Sequence, residues 1–262
     1  MPEGDTLFRT AAGLRPYLVG RTVTAARARR PGPQIERVVG TTIEAVESQG
    51  KNLLIRFDNG LELRTHLRMN GSWHRYRPGE RWRRPEARAR LVIEVPGAVA
   101  VCFDAPVVEL FEQRAEALHP AISTLGPDLL DPAFDDAAAE EALRRLRDPA
   151  RAAMTISEAL LDQRALAGIG NIWRNETLFV ERTDPFATVS SLDDAVLRRL
   201  VSTARRLLTE SASLAPGRQA TRVYRRSGRP CPRCGTRIGS GPLATEIPRT
   251  TYWCPRCQAG SA

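Results

Sequence analysis

Four of the five cysteines in this chain form two pairs, Cys231-x2-Cys234 and Cys254-x2-Cys257, and no other feature constrains a local fold as tightly. Two thiolates two residues apart can bind one ion from a single tight knuckle. A second knuckle after 19 intervening residues completes a four-thiolate set of the kind that holds zinc. Between the knuckles, Gly235, Gly239 and Gly241, followed by Thr250-Thr251-Tyr252-Trp253, predict a β-hairpin. A segment of roughly 35 residues is too short for a core of its own, so the metal must supply folding energy. Two disulfides are the alternative pairing, disfavoured in a reducing compartment. The fifth cysteine, Cys102, lies in the apolar run 99–103 and is expected in a core. Arginines flank the finger from Arg222 to Arg256. Zinc beside basic surface points to nucleic acid, although zinc ribbons also serve protein contacts, so the finger defines a class of partner and not a reaction.

Ahead of the finger, two patterns follow one another. From residue 21 to about 104, short alternating stretches are punctuated by Asn59-Gly60 and Pro96-Gly97, the signature of antiparallel hairpins. Residues 53–57 and 61–67 form one hairpin and 91–95 with 99–103 another, predicting two packed sheets. After residue 125 the apolar spacing becomes helical over 137–146, 156–161 and 171–180. The loop before the last of these ends Gly168-Ile169-Gly170-Asn171, where Asn171 is expected to cap the helix. Its free amides would make a phosphate site there, against the plainer reading of an ordinary cap. The fold class is therefore α+β. An N-terminal helix and two-layer antiparallel β-sandwich are expected over 1–125, a helical domain over 126–222, and the zinc finger over 223–262.

The formal charge of +9 favours a polyanionic partner, since each phosphate neutralised releases condensed counterions. Of 39 basic residues only Lys51 is a lysine. In a chain that otherwise uses arginine, a lone lysine at a hairpin tip is either chance retention or a site needing an ammonium that can gain and lose a proton. With no run of about 18 apolar residues and an acidic amino terminus, neither a membrane span nor export is indicated, and cytoplasmic residence is expected.

The chain opens Met1-Pro2-Glu3-Gly4-Asp5 and runs into an amphipathic stretch carrying Leu7, Phe8, Ala11, Leu14 and Leu18. Proline in the first turn with acidic neighbours is an ordinary helix start. A penultimate proline also permits removal of the initiator methionine. That would expose a secondary amine, nucleophilic near neutral pH and able to form an iminium ion with a sugar carbon, with Glu3 beside it as acid or base.

These residues resemble, in order along nearly the whole chain, the formamidopyrimidine-DNA glycosylase and endonuclease VIII family of bifunctional DNA glycosylases. The resemblance rests on the Met-Pro-Glu-Gly start, Gly50-Lys51, the segment 66–71, Gly168 to Asn171 and the finger with Arg249. It implies that Pro2 attacks C1′ of a damaged nucleotide, that Glu3 handles protons, and that Lys51 reaches sugar and phosphate. It further implies that Asn171, in a helix-two-turn-helix, and Arg249 grip phosphates, and that Arg68, Met69 and Asn70 fill the gap left by an extruded base, Met69 as wedge. His66 is expected to be structural.

The segment 215–224 is short, lacking the longer loop of the oxidised-purine branch, and Arg249-Thr250-Thr251-Tyr252-Trp253-Cys254 follows the endonuclease VIII pattern. Oxidised pyrimidines are thus the expected substrates, excised with β- and then δ-elimination. Two departures stand out: Thr6 where the family often has a second glutamate, and a wedge different from that branch's usual one. The start Pro-Glu-Gly-Asp-Thr resembles a bacterial subgroup of endonuclease VIII-like proteins. One structural zinc, damaged DNA as partner, no small-molecule cofactor and a monomeric state complete the expectations. The competing reading is a non-catalytic lesion-sensing or zinc-ribbon DNA-binding protein.

Overall fold

A computed structural model describes residues 2–29, 31–215, 217–243 and 249–259. The chain divides into two compact units, 1–124 and 125–262. In the first, helix α1 (Gly4–Leu18) precedes eight strands: β1 (Ala25–Ala28), β2 (Ile43–Gln49), β3 (Asn52–Phe57), β4 (Leu61–His66), β5 (Ser72–Tyr76), β6 (Ala89–Val95), β7 (Ala98–Phe103) and β8 (Val107–Glu112). They form two antiparallel four-stranded sheets, ordered β1-β6-β7-β5 and β2-β3-β4-β8. Alternate residues Leu53, Ile55 and Phe57 of β3 and Leu91, Ile93 and Val95 of β6 enter one shared core, as two stacked pleated sheets require. Leu7, Ala11, Leu14 and Leu18 of α1 join the same core. Phe8, grouped with them by spacing, is half-buried.

Strand β7 is buried on both faces. Cys102 and Ala100 face the shared core, while Val99, Val101 and Phe103 pack with Tyr76 and Val92 beneath Trp82. That double cover explains why 99–103 reads as an unbroken apolar run. Burial pushes the Cys102 thiol well above its ordinary range, so it stays protonated as a small core hydrophobe. On the other sheet, Arg56 of β3 pairs with Glu47, Glu62 and Glu116 at 2.7, 3.0 and 3.1 Å. Glu62 is fully buried, and burial, with the neighbouring Glu116 charge adding to it against the pull of Arg56, pushes its carboxyl up to about 7.

The second unit contains α2 (Asp136–Leu146), α3 (Ile156–Ala159), α4 (Asn171–Val180), α5 (Asp194–Ser213) and a hairpin of β9 (Gly239–Leu243) and β10 (Arg249–Trp253). Asp135 caps α2, Asp193 caps α5, and Thr155 with Glu158 forms a capping box on α3. Helix α4 packs against α5 and against β10. Gly239 pairs with Trp253 across the hairpin, and a Cβ at 239 would lie 3.2 Å from the indole, so a side chain there would press on the ring. Among the described residues, no helix is long and apolar enough to cross a membrane.

Candidate functional site

The amino-terminal residues sit differently from the sequence expectation. Helix α1 begins at Gly4 with Glu3 in the N-cap position, so Pro2 stands one residue outside the helix rather than in its first turn. The Glu3 carbonyl accepts from the amides of Thr6 and Leu7 at 2.9 and 3.2 Å, which anchors the start of the helix. Glu3 is only 1% exposed, while Pro2 is half-buried. A buried carboxyl at a helix amino terminus lies where the helix dipole favours its anion. Thr6 places its hydroxyl 3.4 Å from Asp5 Oδ1, and Asp5 also accepts from Arg9.

Helix α1 packs on β2 and β3, and the turn joining those strands carries Lys51. Gly50 makes that turn possible with φ of +57°, a left-handed backbone in which a side chain is strained. The next residue, Asn52, pairs with His66 in the β3–β4 register, so the Lys51 turn and the end of β4 lie at the same end of the sheet. Burial, then the positive charges of Arg68, Arg64 and Lys51, push the His66 imidazole down to about 4. His66 is therefore neutral near pH 7, and its Nδ1 accepts the Arg68 amide at 3.1 Å.

That bond starts a tight loop. Arg68 adopts φ of +48°, the Gly71 amide donates to the Leu67 carbonyl at 2.9 Å, and a Cβ at 71 would collide with the same carbonyl at 2.6 Å. Arg84 ties the loop down by donating to the Asn70 carbonyl at 3.2 Å and to Asp104 at 2.7 Å. Arg68, Met69 and Asn70 all point into solvent, Met69 with 60% exposure, which rules out a core methionine.

In the second unit the expectation for Asn171 needs correction. Gly170 holds the N-cap position of α4 and Asn171 is the first helical residue. Its side chain does not turn back on its own helix end. The amide nitrogen donates to the Thr250 carbonyl at 3.2 Å, and Oδ1 accepts from Arg174 Nη2. The preceding loop is folded by Gln163, whose Oε1 accepts the Gly168 amide and whose Nε2 donates to the carbonyls of Leu161 and Ile169. Arg249, half-buried, opens β10 next to Thr250. Asn171 and Arg249, 78 positions apart, are thus brought to one end of the α4–β10 contact.

Sequence reasoning missed three buried polar side chains on α4. Arg174, fully buried, also donates to Thr251 Oγ1 and the Thr250 carbonyl, each at 3.2 Å. Asn175 Oδ1 accepts the Tyr252 amide at 2.8 Å. Glu176, fully buried, accepts the amides of Arg222, Val223 and Tyr224 at 2.8 to 2.9 Å. The signal was available: charged residues at 174 and 176 fall among Trp173, Leu178 and Phe179 on a helix too short to spare a polar face.

The four cysteines form the one cluster of metal-ligating groups found among the described residues, with all Sγ atoms within 4.8 Å of one another. Cys231 and Cys257 Sγ lie 4.0 Å apart, and Cys234 and Cys254 Sγ 3.5 Å. A disulfide needs about 2.05 Å. Tetrahedral thiolates at the usual zinc–sulfur distance would be about 3.8 Å apart, which the set fits. Amides of Arg233 and Cys257 point at Cys231 and Cys254 Sγ, each at 3.4 Å, as suits thiolate ligands. The second knuckle is fastened by Gln258, which accepts the Cys254 amide and donates to the Thr183 carbonyl.

Comparison with known proteins places these features in context. The family model for the formamidopyrimidine-DNA glycosylase N-terminal domain matches residues 1–106, and that for the formamidopyrimidine-DNA glycosylase H2TH domain matches residues 125–223. A probable endonuclease 8 2 of Streptomyces coelicolor is 40% identical, covering 100% of this chain and 95% of its own length. The DNA-(apurinic or apyrimidinic site) lyase Nei2 of Mycolicibacterium smegmatis is 38% identical over the whole of both chains. Among solved structures, Lactococcus lactis formamidopyrimidine-DNA glycosylase non-covalently bound to DNA containing an abasic site superposes with a TM-score of 0.83 at 23% identity, covering 98% of this chain and 100% of that one.

Proposed function

The chain belongs to the formamidopyrimidine-DNA glycosylase and endonuclease VIII family, and from that premise we propose that it is a bifunctional DNA glycosylase and abasic-site lyase of base excision repair, with Pro2 as nucleophile. The observation that carries this reading is the placement of Pro2 directly ahead of the buried Glu3 at the start of α1. Once Met1 is removed, the Pro2 nitrogen attacks C1′ as the glycosidic bond breaks, and the base leaves with the proton that the amine releases on bonding. Glu3 then protonates the ring oxygen O4′, and the nitrogen lone pair expels it, opening the sugar to the iminium ion. Loss of a C2′ proton expels the 3′ phosphate, and a second elimination expels the 5′ phosphate.

Lys51 joins Pro2 and Glu3 in the catalytic set, reaching the sugar and the lesion-flanking phosphate, and Asn171 and Arg249 grip phosphates that position the strand. Arg68, Met69 and Asn70 occupy the space vacated by the extruded nucleotide, Met69 as the apolar wedge its exposure suits. Cys231, Cys234, Cys254 and Cys257 hold one structural zinc, which stabilises the finger and takes no part in the reaction. The working division is 1–125, 126–222 and 223–262. Oxidised pyrimidines are the proposed substrates, on the short segment 215–224 and the endonuclease 8 names of the relatives at 40% and 30% identity. The protein acts as a monomer on bacterial DNA in the cytoplasm.

Borohydride trapping on oligonucleotides bearing an abasic site or an oxidised pyrimidine tests the proposal, with the amino terminus checked by mass spectrometry. An adduct mapping to Pro2 is expected from both. No adduct from zinc-loaded protein lacking Met1 would leave only a DNA-binding role.

A further inference from the structure

The phosphate contacts proposed above leave unexplained why a guanidinium is buried behind one of them. Arg174 is fully enclosed, and a charge so placed is costly unless its donors are matched by acceptors. Acceptors of its two terminal nitrogens include Asn171 Oδ1, Thr251 Oγ1 and the Thr250 carbonyl. Asn175 adds a second donor to Asn171 Oδ1 at 3.4 Å. The carboxamide of Asn171 therefore has its oxygen turned inward to donors and its nitrogen turned to the Thr250 carbonyl.

An amide nitrogen carries two hydrogens, and Thr250 takes one. With the oxygen held by Arg174, the amide cannot flip without setting donor against donor, so the nitrogen keeps a second N–H for a further acceptor. The same guanidinium grips the backbone of residue 250, next to Arg249. We propose that Arg174 is a positioning residue for the phosphate grip: it fixes Asn171 as a donor and holds Asn171 and Arg249 at one spacing, so that helix and finger close on the strand as a unit. This rests on the assignment of Asn171 and Arg249 as phosphate contacts.

Lysine at 174 would keep the charge but place one ammonium where a planar fork reaches three acceptors. Asn171→Asp is the complementary change, keeping oxygens for Arg174 while removing the outward N–H and adding a negative charge. The test is binding of zinc-loaded protein to a duplex with a tetrahydrofuran abasic analogue, titrated at several salt concentrations. Asn171→Ala should weaken binding about tenfold in the native background, the value of one charge-assisted bond. In the Arg174→Lys background the same change should cost under about threefold. Asn171→Asp should bind at least as weakly as Asn171→Ala, since it removes the donor and adds a negative charge.

An Asn171→Ala penalty undiminished by Arg174→Lys would overturn the positioning role, as would Asn171→Asp binding like the native protein. A purely structural Arg174 would lower melting temperature and zinc content without changing that penalty. Failure of the native protein to bind the duplex would instead refute the functional assignment beneath the proposal. Trapping at Pro2 tests that assignment separately.

Discussion

Glu176 offers the sharpest test of how the finger is attached. Its carboxylate accepts three successive backbone amides, and the middle one, on Val223, is fully buried. Glutamine at 176 can keep an oxygen toward Val223 and Tyr224 but must then set its NH2 against the Arg222 amide. One charge-assisted bond is lost and two become neutral, a loss of about 3 kcal/mol on typical values. Removing a buried charge returns part of that, leaving a net cost of about 2 kcal/mol. If these amides exchange by local opening, that cost corresponds to roughly 30-fold faster hydrogen exchange. Exchange mass spectrometry on peptides spanning 221–226 of the zinc-loaded protein measures it directly. Rates within threefold of native in Glu176→Gln would refute the reasoning. So would acceleration spread equally over α2, which makes no contact with this carboxylate.

Chelating the metal should strip protection from β9, β10 and both knuckles while β3, β4 and β7 keep theirs; an equally protected hairpin in metal-free protein would contradict the four-thiolate site. The Glu62 carboxyl, raised from its ordinary range to about 7, takes up a proton on folding, so its contribution is complete at low pH and lost as pH rises through 7. His66, lowered from 6.5 to about 4, acts in the opposite direction, its contribution lost as pH falls from about 6.5 to about 4, so the two oppose each other below about pH 6.5 and Glu62 acts alone above it. Urea unfolding should therefore show lower stability at pH 8 than at pH 6.5 and a flatter profile in Glu62→Gln, and identical profiles would remove Glu62 as the cause. Met69→Ala should change stability by no more than about 0.5 kcal/mol, since the side chain is 60% exposed, yet slow excision from duplex DNA. An unchanged excision rate would remove Met69 from the wedge.

Local signals in the sequence carried far. The cysteine spacing, the Asn59-Gly60 turn, the hairpin of 91–95 with 99–103 and the helix over 171–180 all depend on neighbours within a few residues, and all appear in the structure. What was illegible depends on partners far apart in the chain. That β1 pairs with β6, and β4 with β8, follows from packing across two sheets and not from any turn. Asn171 looked like a cap because its side chain suits one; its nitrogen instead donates to Thr250 on β10, 79 residues away, and its oxygen takes donors from Arg174 and Asn175 of its own helix. The polar residues of α4 were overlooked for the same reason, since a charge in a helix is read as solvent-facing until the acceptors that enclose it are known. Met69 could be placed only once its exposure separated a loop tip from a core.

The contacts of α4 bear on how this fold can be recombined. Its amino-terminal end is bound by Arg174 and Asn175 to β10, its middle by Glu176 to residues 222–224, and its last carbonyls, on Phe179 and Val180, receive the guanidinium of Arg233 from the first knuckle. A finger cut out at residue 223 would leave a carboxylate and a guanidinium stranded in the helix, and a foreign finger grafted there would have to present matching amides, a matching threonine and a matching arginine. The portable piece is the helix together with its finger. Exchanges between relatives that respect that seam should fold, and those that cut through it should not.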